Sequence, residues 1–201
     1  IIGDRISGET PEKAATLGRA ACEGYLAGGV VPVIKHIPGH GRATVDSHKA
    51  LPIVAASHED LSAFDFKPFK ALADMPWAMT AHVVYQALDA HNPATSSAKV
   101  ISDVIRGEIG FEGVLLSDDL SMQALRGSFT DRAETALKAG CDVVLHCNGV
   151  MDEMQAVVAG CAALNATALE RIERAAKLTD TPKDFDFEGA QQRLDRLLAK
   201  L

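Results

Sequence analysis

Two hydrophobic periods alternate along the chain. Short apolar runs rich in Val, Ile and Leu are separated by longer stretches in which apolar residues recur every three to four positions. That alternation predicts buried strands followed by amphipathic helices. Thr10-Pro11-Glu12 reads as a helix start, with a capping Thr, a Pro at the first helical position and an acid in the first turn. The helix carries Ala15, Leu17, Ala21, Cys22, Tyr25 and Leu26 at helical spacing and stops at Gly28-Gly29. A strand over 30–34 follows and ends in Lys35-His36. A loop rich in Gly and His then runs to about Pro52, and a helical pattern occupies 59–73. The same unit recurs as a strand over 77–83 with a helix over 97–109, a strand over 113–117 with a helix over 130–139 that stops at Gly140, and a strand over 142–147 with a helix over 151–163. Two more amphipathic helices are predicted over 167–177 and 187–200.

Strands that are apolar along their whole length, each followed by a helix, point to a parallel sheet covered by helices, hence to an α/β fold. A doubly wound sheet and a (βα)8 TIM barrel share that pattern, and the polar residues separate them. Lys35-His36, His82, Asp118-Asp119 and His146-Cys147-Asn148 all fall at the C-terminal ends of successive strands, where a barrel gathers its active site. A dinucleotide-binding turn would need a third glycine and a helix start after Gly39-His40-Gly41, and neither follows. The expectation is a (βα)8 barrel of which this chain carries only the second half, four βα units, with residues 1–201 as a single domain. The chain begins Ile1-Ile2-Gly3 rather than with Met, so its first residue is not expected to start the natural product. A further ~120–130 residues, enough for four βα units, are expected before it.

Composition narrows the partners. Of 201 residues, 20 are Lys or Arg and 27 are Asp or Glu, giving a net charge of −7. Such a chain lacks the cationic surplus that neutralises phosphates, and 5% aromatic content is thin for stacking nucleobases, so no nucleic-acid partner is expected. No apolar run approaches the ~20 residues of a membrane-spanning helix, and no membrane partner is expected either. Cys22, Cys141, Cys147 and Cys161 lack the pairing of a zinc site or a disulfide scaffold. Their expected role is that of reduced thiols packed as small hydrophobes, which favours a reducing compartment.

The densest chemistry runs from Lys35 to His48, with Lys35, His36, His40, Arg42, Asp46 and His48 on one strand end and one loop. Asp46 stands two residues before His48, close enough for its carboxylate to hold one imidazole nitrogen, fix the tautomer and raise the ring's basicity. Two other uses stay open: Asp46 as a turn former, and His36, His40 and His48 as metal ligands. The second candidate is Ser117-Asp118-Asp119-Leu120-Ser121-Met122. Adjacent acids on extended backbone point to opposite sides, so one can face the barrel mouth while the other binds loop amides. Both acting as helix caps is one alternative, and a phosphoacceptor Asp at the strand end is another, although nothing else in the chain supports a receiver domain.

Lys35-His36-Ile37-Pro38-Gly39-His40-Gly41, Asp46-Ser47-His48 and Ser117-Asp118-Asp119-Leu120-Ser121-Met122 resemble the signatures of the family 3 glycoside hydrolases, and of its bacterial β-N-acetylhexosaminidase branch in particular. The resemblance continues through Ile2-Gly3-Asp4-Arg5, Ala81-His82-Val83-Val84-Tyr85 and Ala139-Gly140-Cys141-Asp142. It implies retaining hydrolysis on a (βα)8 barrel, without a cofactor or a metal, of β-linked N-acetylglucosamine in cell-wall fragments such as muropeptides. Asp118 matches the nucleophile, and His48, paired with Asp46, matches the general acid/base. Arg5, Lys35 and His36 match residues that hold the sugar hydroxyls. Arg42 stands where many relatives carry an acid, which changes the loop's charge more than its chemistry. A catalytically inactive sugar-binding module and a metal-dependent barrel hydrolase are the competing expectations.

Overall fold

The computed structural model describes residues 8–45, 50–179 and 184–199. Helix α1 (Pro11–Ala27) starts as expected, with Thr10 Oγ1 accepting from the Lys13 amide. Strand β1 (Val33–Ile37) leads through a two-residue strand β2 (Ile53–Val54) to a broken helix made of α2 (His58–Asp60), a π-helical turn (Leu61–Asp65) and α3 (Lys67–Ala71). Strand β3 (Trp77–Thr80) and the short β4 (Val84–Tyr85) precede a π-helical segment, Val100–Glu108. Strand β5 (Val114–Asp119) is followed by α4 (Phe129–Ala139), and β6 (Val143–Leu145) by α5 (Met151–Ala159). Helices α6 (Ala166–Ala176) and α7 (Phe187–Leu198) end the described chain.

β1, β3, β5 and β6 form one parallel sheet in chain order, and β2 pairs with β4 in a second parallel pair. Register aligns Ile34, Ala78 and Leu115 across three strands. Aligned residues of a parallel sheet share a face, and these three are buried in the main core with Phe66, Val104, Ile105 and Ala136 from the helices. On the opposite face Val33 and Lys35 are exposed, and Leu116 and Val143 are half-buried. Among the described residues the sheet is open, with β1 and β6 as its outer strands. No described helix is long and apolar enough to cross a membrane.

The strand boundaries differ from expectation in a way that matters for chemistry. β1 begins at Val33, after Pro32, which has no N–H to give a ladder, and it runs on to Ile37. Lys35 and His36 are therefore strand residues rather than the residues after it. β5 likewise extends through Asp118 and Asp119. Gly140 ends α4 at φ +118 and accepts the left-handed conformation that an L side chain disfavours. Cys22 and Cys141 are buried as predicted. Cys147 and Cys161 are exposed, because one lies past the end of β6 and the other past the end of α5.

At the far end of the π-helical segment, Glu108 gathers three partners: His58 Nε2 at 2.7 Å, Lys70 Nζ at 2.8 Å and the Ser62 hydroxyl. Burial opposes ionisation of the carboxyl, but the Lys70, Ser62 and His58 contacts outweigh it and hold the group at about 2. A carboxyl so depressed stabilises the fold above its unfolded value of about 4.3, and that contribution is lost as pH falls toward about 2. Glu108→Gln should lower the urea midpoint at pH 7, with the gap to wild type closing between about pH 4 and pH 2. A gap that stays constant over that range would refute the linkage.

Candidate active site

The C-terminal ends of the four main strands bring His36, His82, Asp118, Asp119 and His146 to one edge of the sheet. A register shift between Lys35 and Ile37 breaks the β1 ladder at His36, and a local irregularity of this kind re-aims a side chain at a strand end. The Lys35–His36 and Ile37–Pro38 peptide bonds are both cis. β5 has a register shift of its own between Leu116 and Asp119, and Asp118 lies within it. Its Oδ2 is 3.6 Å from His36 Nε2, both side chains being largely shielded from water, and its Oδ1 accepts from the Asp119 amide at 2.9 Å.

The two adjacent acids divide their work. Asp119 Oδ1 accepts from the Ser121 amide at 2.9 Å and the Cys147 amide at 3.4 Å, and Oδ2 accepts from the Ser121 hydroxyl at 2.6 Å. Burial pushes the Asp119 carboxyl up, but these hydrogen bonds outweigh it and leave the group below the ordinary range. Asp119 is thus a loop anchor, and Asp118 is the acid that faces His36. The Cys147 thiol hydrogen-bonds to Asp119, which together with burial pushes it up to about 11; it stays a thiol at neutral pH and is a poor nucleophile. His146 sits between two carboxylates, 3.9 Å from Asp119 Oδ1 and 3.5 Å from Glu153 Oε2, with Phe129 edge-on to its ring.

Beneath this edge lies a buried polar ladder. Thr80 Oγ1 is 2.8 Å from Thr95 Oγ1, which is 2.7 Å from His82 Nδ1; His82 Nε2 is 3.1 Å from the Asp119 carbonyl. Thr95 carried no signal in the sequence, because a lone Thr in a loop is common and only the fold brings it under β3. Ser117, the first residue of the second candidate motif, has a hydroxyl that accepts the Leu145 amide at 2.9 Å and ties β5 to β6.

The loop after β1 is anchored at its root. The Tyr85 hydroxyl donates to the Gly39 carbonyl at 2.5 Å, and Arg42 Nε meets Asp65 Oδ2 at 2.6 Å. Gly39 has φ +146, and a Cβ there would lie 3.1 Å from Asp65 Cβ, so the turn accepts glycine alone. His40 is buried, its ring centroid 5.5 Å from that of His36. The candidates Arg5, Asp46 and His48 lie outside the described residues. So does part of the alternative metal set, since His48 would supply one of its three ligands. Among the described residues no three His, Cys, Asp or Glu side chains converge as metal ligands.

Residues 1–179 match the family model described as the glycosyl hydrolase family 3 N terminal domain. A beta-hexosaminidase from Nitrosomonas eutropha is 44% identical over 152 residues, which are 74% of this chain and 43% of that protein. One from Idiomarina loihiensis is 35% identical over 201 residues, 96% of this chain and 61% of that protein. The chain thus spans between 43% and 61% of the length of these two relatives. Among solved structures, the family 3 beta-N-acetylglucosaminidase of Paenibacillus sp. superposes with a TM-score of 0.80 at 32% identity, covering 93% of this chain and 39% of that one. NagZ from Neisseria gonorrhoeae in complex with N-trifluoroacetyl-D-glucosamine gives 0.77 at 34% identity, covering 91% and 53%.

Proposed function

Because the chain belongs to glycosyl hydrolase family 3, we propose that it carries the catalytic edge of a retaining β-N-acetylhexosaminidase. The observation that carries this reading is the placement of Asp118. It is a shielded carboxylate at a strand's C-terminal end, oriented by a backbone N–H and faced by His36 at 3.6 Å. In this reading Asp118 attacks the anomeric carbon as the glycosidic bond breaks, forming a glycosyl ester. His48, held by Asp46, gives its proton to the departing oxygen. The neutral imidazole then takes a proton from water as that water displaces Asp118 and returns it to a carboxylate. An imidazolium in this role avoids setting two carboxylates around one sugar. Arg5, Lys35 and His36 hold the sugar hydroxyls.

The four strands are, in this reading, the second half of a (βα)8 barrel. The chain-order parallel sheet, its outer strands β1 and β6 and the half-covered face carrying Val33, Lys35 and Leu116 all suit that closure. The substrate class is a β-linked N-acetylglucosaminide, with muropeptide fragments as the natural form and peptidoglycan recycling in the cytoplasm as the setting. The four free cysteines suit a reducing compartment.

The test is release of a chromogenic phenol from a β-N-acetylglucosaminide by the full-length protein. Turnover that persists after chelation supports the reading. An inactive full-length protein that still binds N-acetylglucosamine favours the sugar-binding module. Activity that disappears on chelation and returns with a divalent cation favours the metal-dependent hydrolase.

A further inference from the structure

The imidazole of His82 has no part in the chemistry above, yet it is fully buried at the catalytic edge and engaged at both ring nitrogens. The Asp119 carbonyl oxygen can only accept, so His82 Nε2 carries a hydrogen and donates to it. Burial, the largest influence, disfavours the imidazolium against the pull of Asp118 and the Asp119 carbonyl and charge. In the neutral ring the lone pair therefore lies on Nδ1, where the Thr95 hydroxyl donates at 2.7 Å. Thr80 donates in turn to Thr95 at 2.8 Å. The Ala81 carbonyl, at 3.2 Å, is the longer of the two acceptors within reach of Thr95.

Asp119 is held on every side. Its carbonyl also accepts the Met122 amide at 3.2 Å, and its carboxylate is tied to Ser121 and Cys147. Its remaining polar group, the backbone N–H, donates to Asp118 Oδ1. The group that grips the Asp118 carboxylate and the group that His82 grips thus belong to one residue. Rotation of Asp119 about its backbone would swing that N–H away and release the carboxylate.

We propose that His82 is a positioning residue for Asp118: through the Asp119 carbonyl it fixes the N–H that aims the carboxylate, and Thr80 and Thr95 fix the tautomer that makes this possible. The proposal rests on Asp118 being the nucleophile. A nucleophile displaced by about 1 Å can lose about 100-fold in rate, so the expected signature is in kcat.

In the full-length protein, His82→Leu removes the donor at similar volume. It should lower kcat about 100-fold while KM stays within about threefold. His82→Gln, whose amide reaches about as far as Nε2, should recover kcat to within about tenfold of wild type, and Thr95→Val should cost about three- to tenfold. Asp118→Asn decides the parent reading separately: wild-type turnover in that variant removes the nucleophile, whatever His82 does. A measurement without turnover guards against variants that fail to fold. Nitrogen-15 NMR of the wild-type His82 ring at neutral pH should show Nε2 protonated and Nδ1 bare. A bare Nε2, a His82→Leu enzyme with wild-type kcat, or a His82→Gln enzyme no better than His82→Leu would each overturn the proposal.

Discussion

Asp118→Ala should lower kcat on an N-acetylglucosaminide by about 10⁴-fold or more, with a melting temperature within a few degrees of wild type. The two halves of that expectation have separate causes. Removing the attacking oxygen leaves no covalent route, and only binding and proton transfer persist. The fold depends little on this carboxylate, since its hydrogen bond goes to the adjacent amide and His36 stands 3.6 Å away. Asp119→Ala is the informative control. It should loosen the Ser121 and Cys147 contacts and lose stability along with part of its activity. An inactive Asp119→Ala beside an active Asp118→Ala would mean that the wrong acid of the pair has been chosen.

Asp142→Ala should have the reverse profile. Asp142, at the opposite end of the sheet from the catalytic edge, is buried. Its Oδ2 accepts from Arg106 at 2.9 Å and from the Leu115 amide at 2.8 Å, and its Oδ1 accepts from Arg171 at 2.9 Å. One carboxylate thus ties the π-helical segment, β5 and α6 together. Its removal takes the carboxylate from two well-shielded guanidinium groups and leaves Arg171 only the exposed Glu112 at 3.6 Å; breaking such an arrangement costs about 3–5 kcal/mol. The urea midpoint should fall accordingly, while kcat per folded molecule stays near wild type. Asp142→Asn retains an acceptor for Leu115 and should lose less. If Asp142→Ala and wild type unfold together, the triad adds nothing to stability.

The legible parts of this chain were those in which one local rule acts alone. The Thr10-Pro11 start, the Gly140 stop and the four apolar strands follow from capping, backbone freedom and burial, and each stands within a few residues of where the pattern places it. The strand ends were harder. Polarity at Lys35-His36 and Asp118-Asp119 reads as the end of a strand, but after a register shift in each strand pairing resumes at Ile37 and at Asp119. The pairing of β2 with β4, two residues each, and the π-helical form of Val100–Glu108 depend on tertiary contacts that hydrophobic periodicity does not encode.

The site divides in the same way. Asp118 and His36 stand out in sequence because charged residues beside an apolar run are conspicuous, and the fold brings them to 3.6 Å. Which of two adjacent acids anchors the loop depends on distant partners, and it resolves once those of Asp119 are known. His82 stands out in sequence as a polar strand end within the Ala81–Tyr85 stretch, with no role attached. Its role depends on Thr95, thirteen residues away, and on the Asp119 carbonyl, thirty-seven residues away, and no local pattern links the three.

The central claim, that Asp118 bonds covalently to the sugar, is most directly tested by trapping. The full-length protein would be incubated with an activated, slowly hydrolysed N-acetylglucosaminyl fluoride, digested and mapped by mass spectrometry. The account predicts one N-acetylglucosaminyl adduct, located on Asp118, that disappears on prolonged incubation as the product is released with its anomeric configuration retained. Product of inverted configuration without any adduct, or an adduct on Asp119 instead, would contradict it.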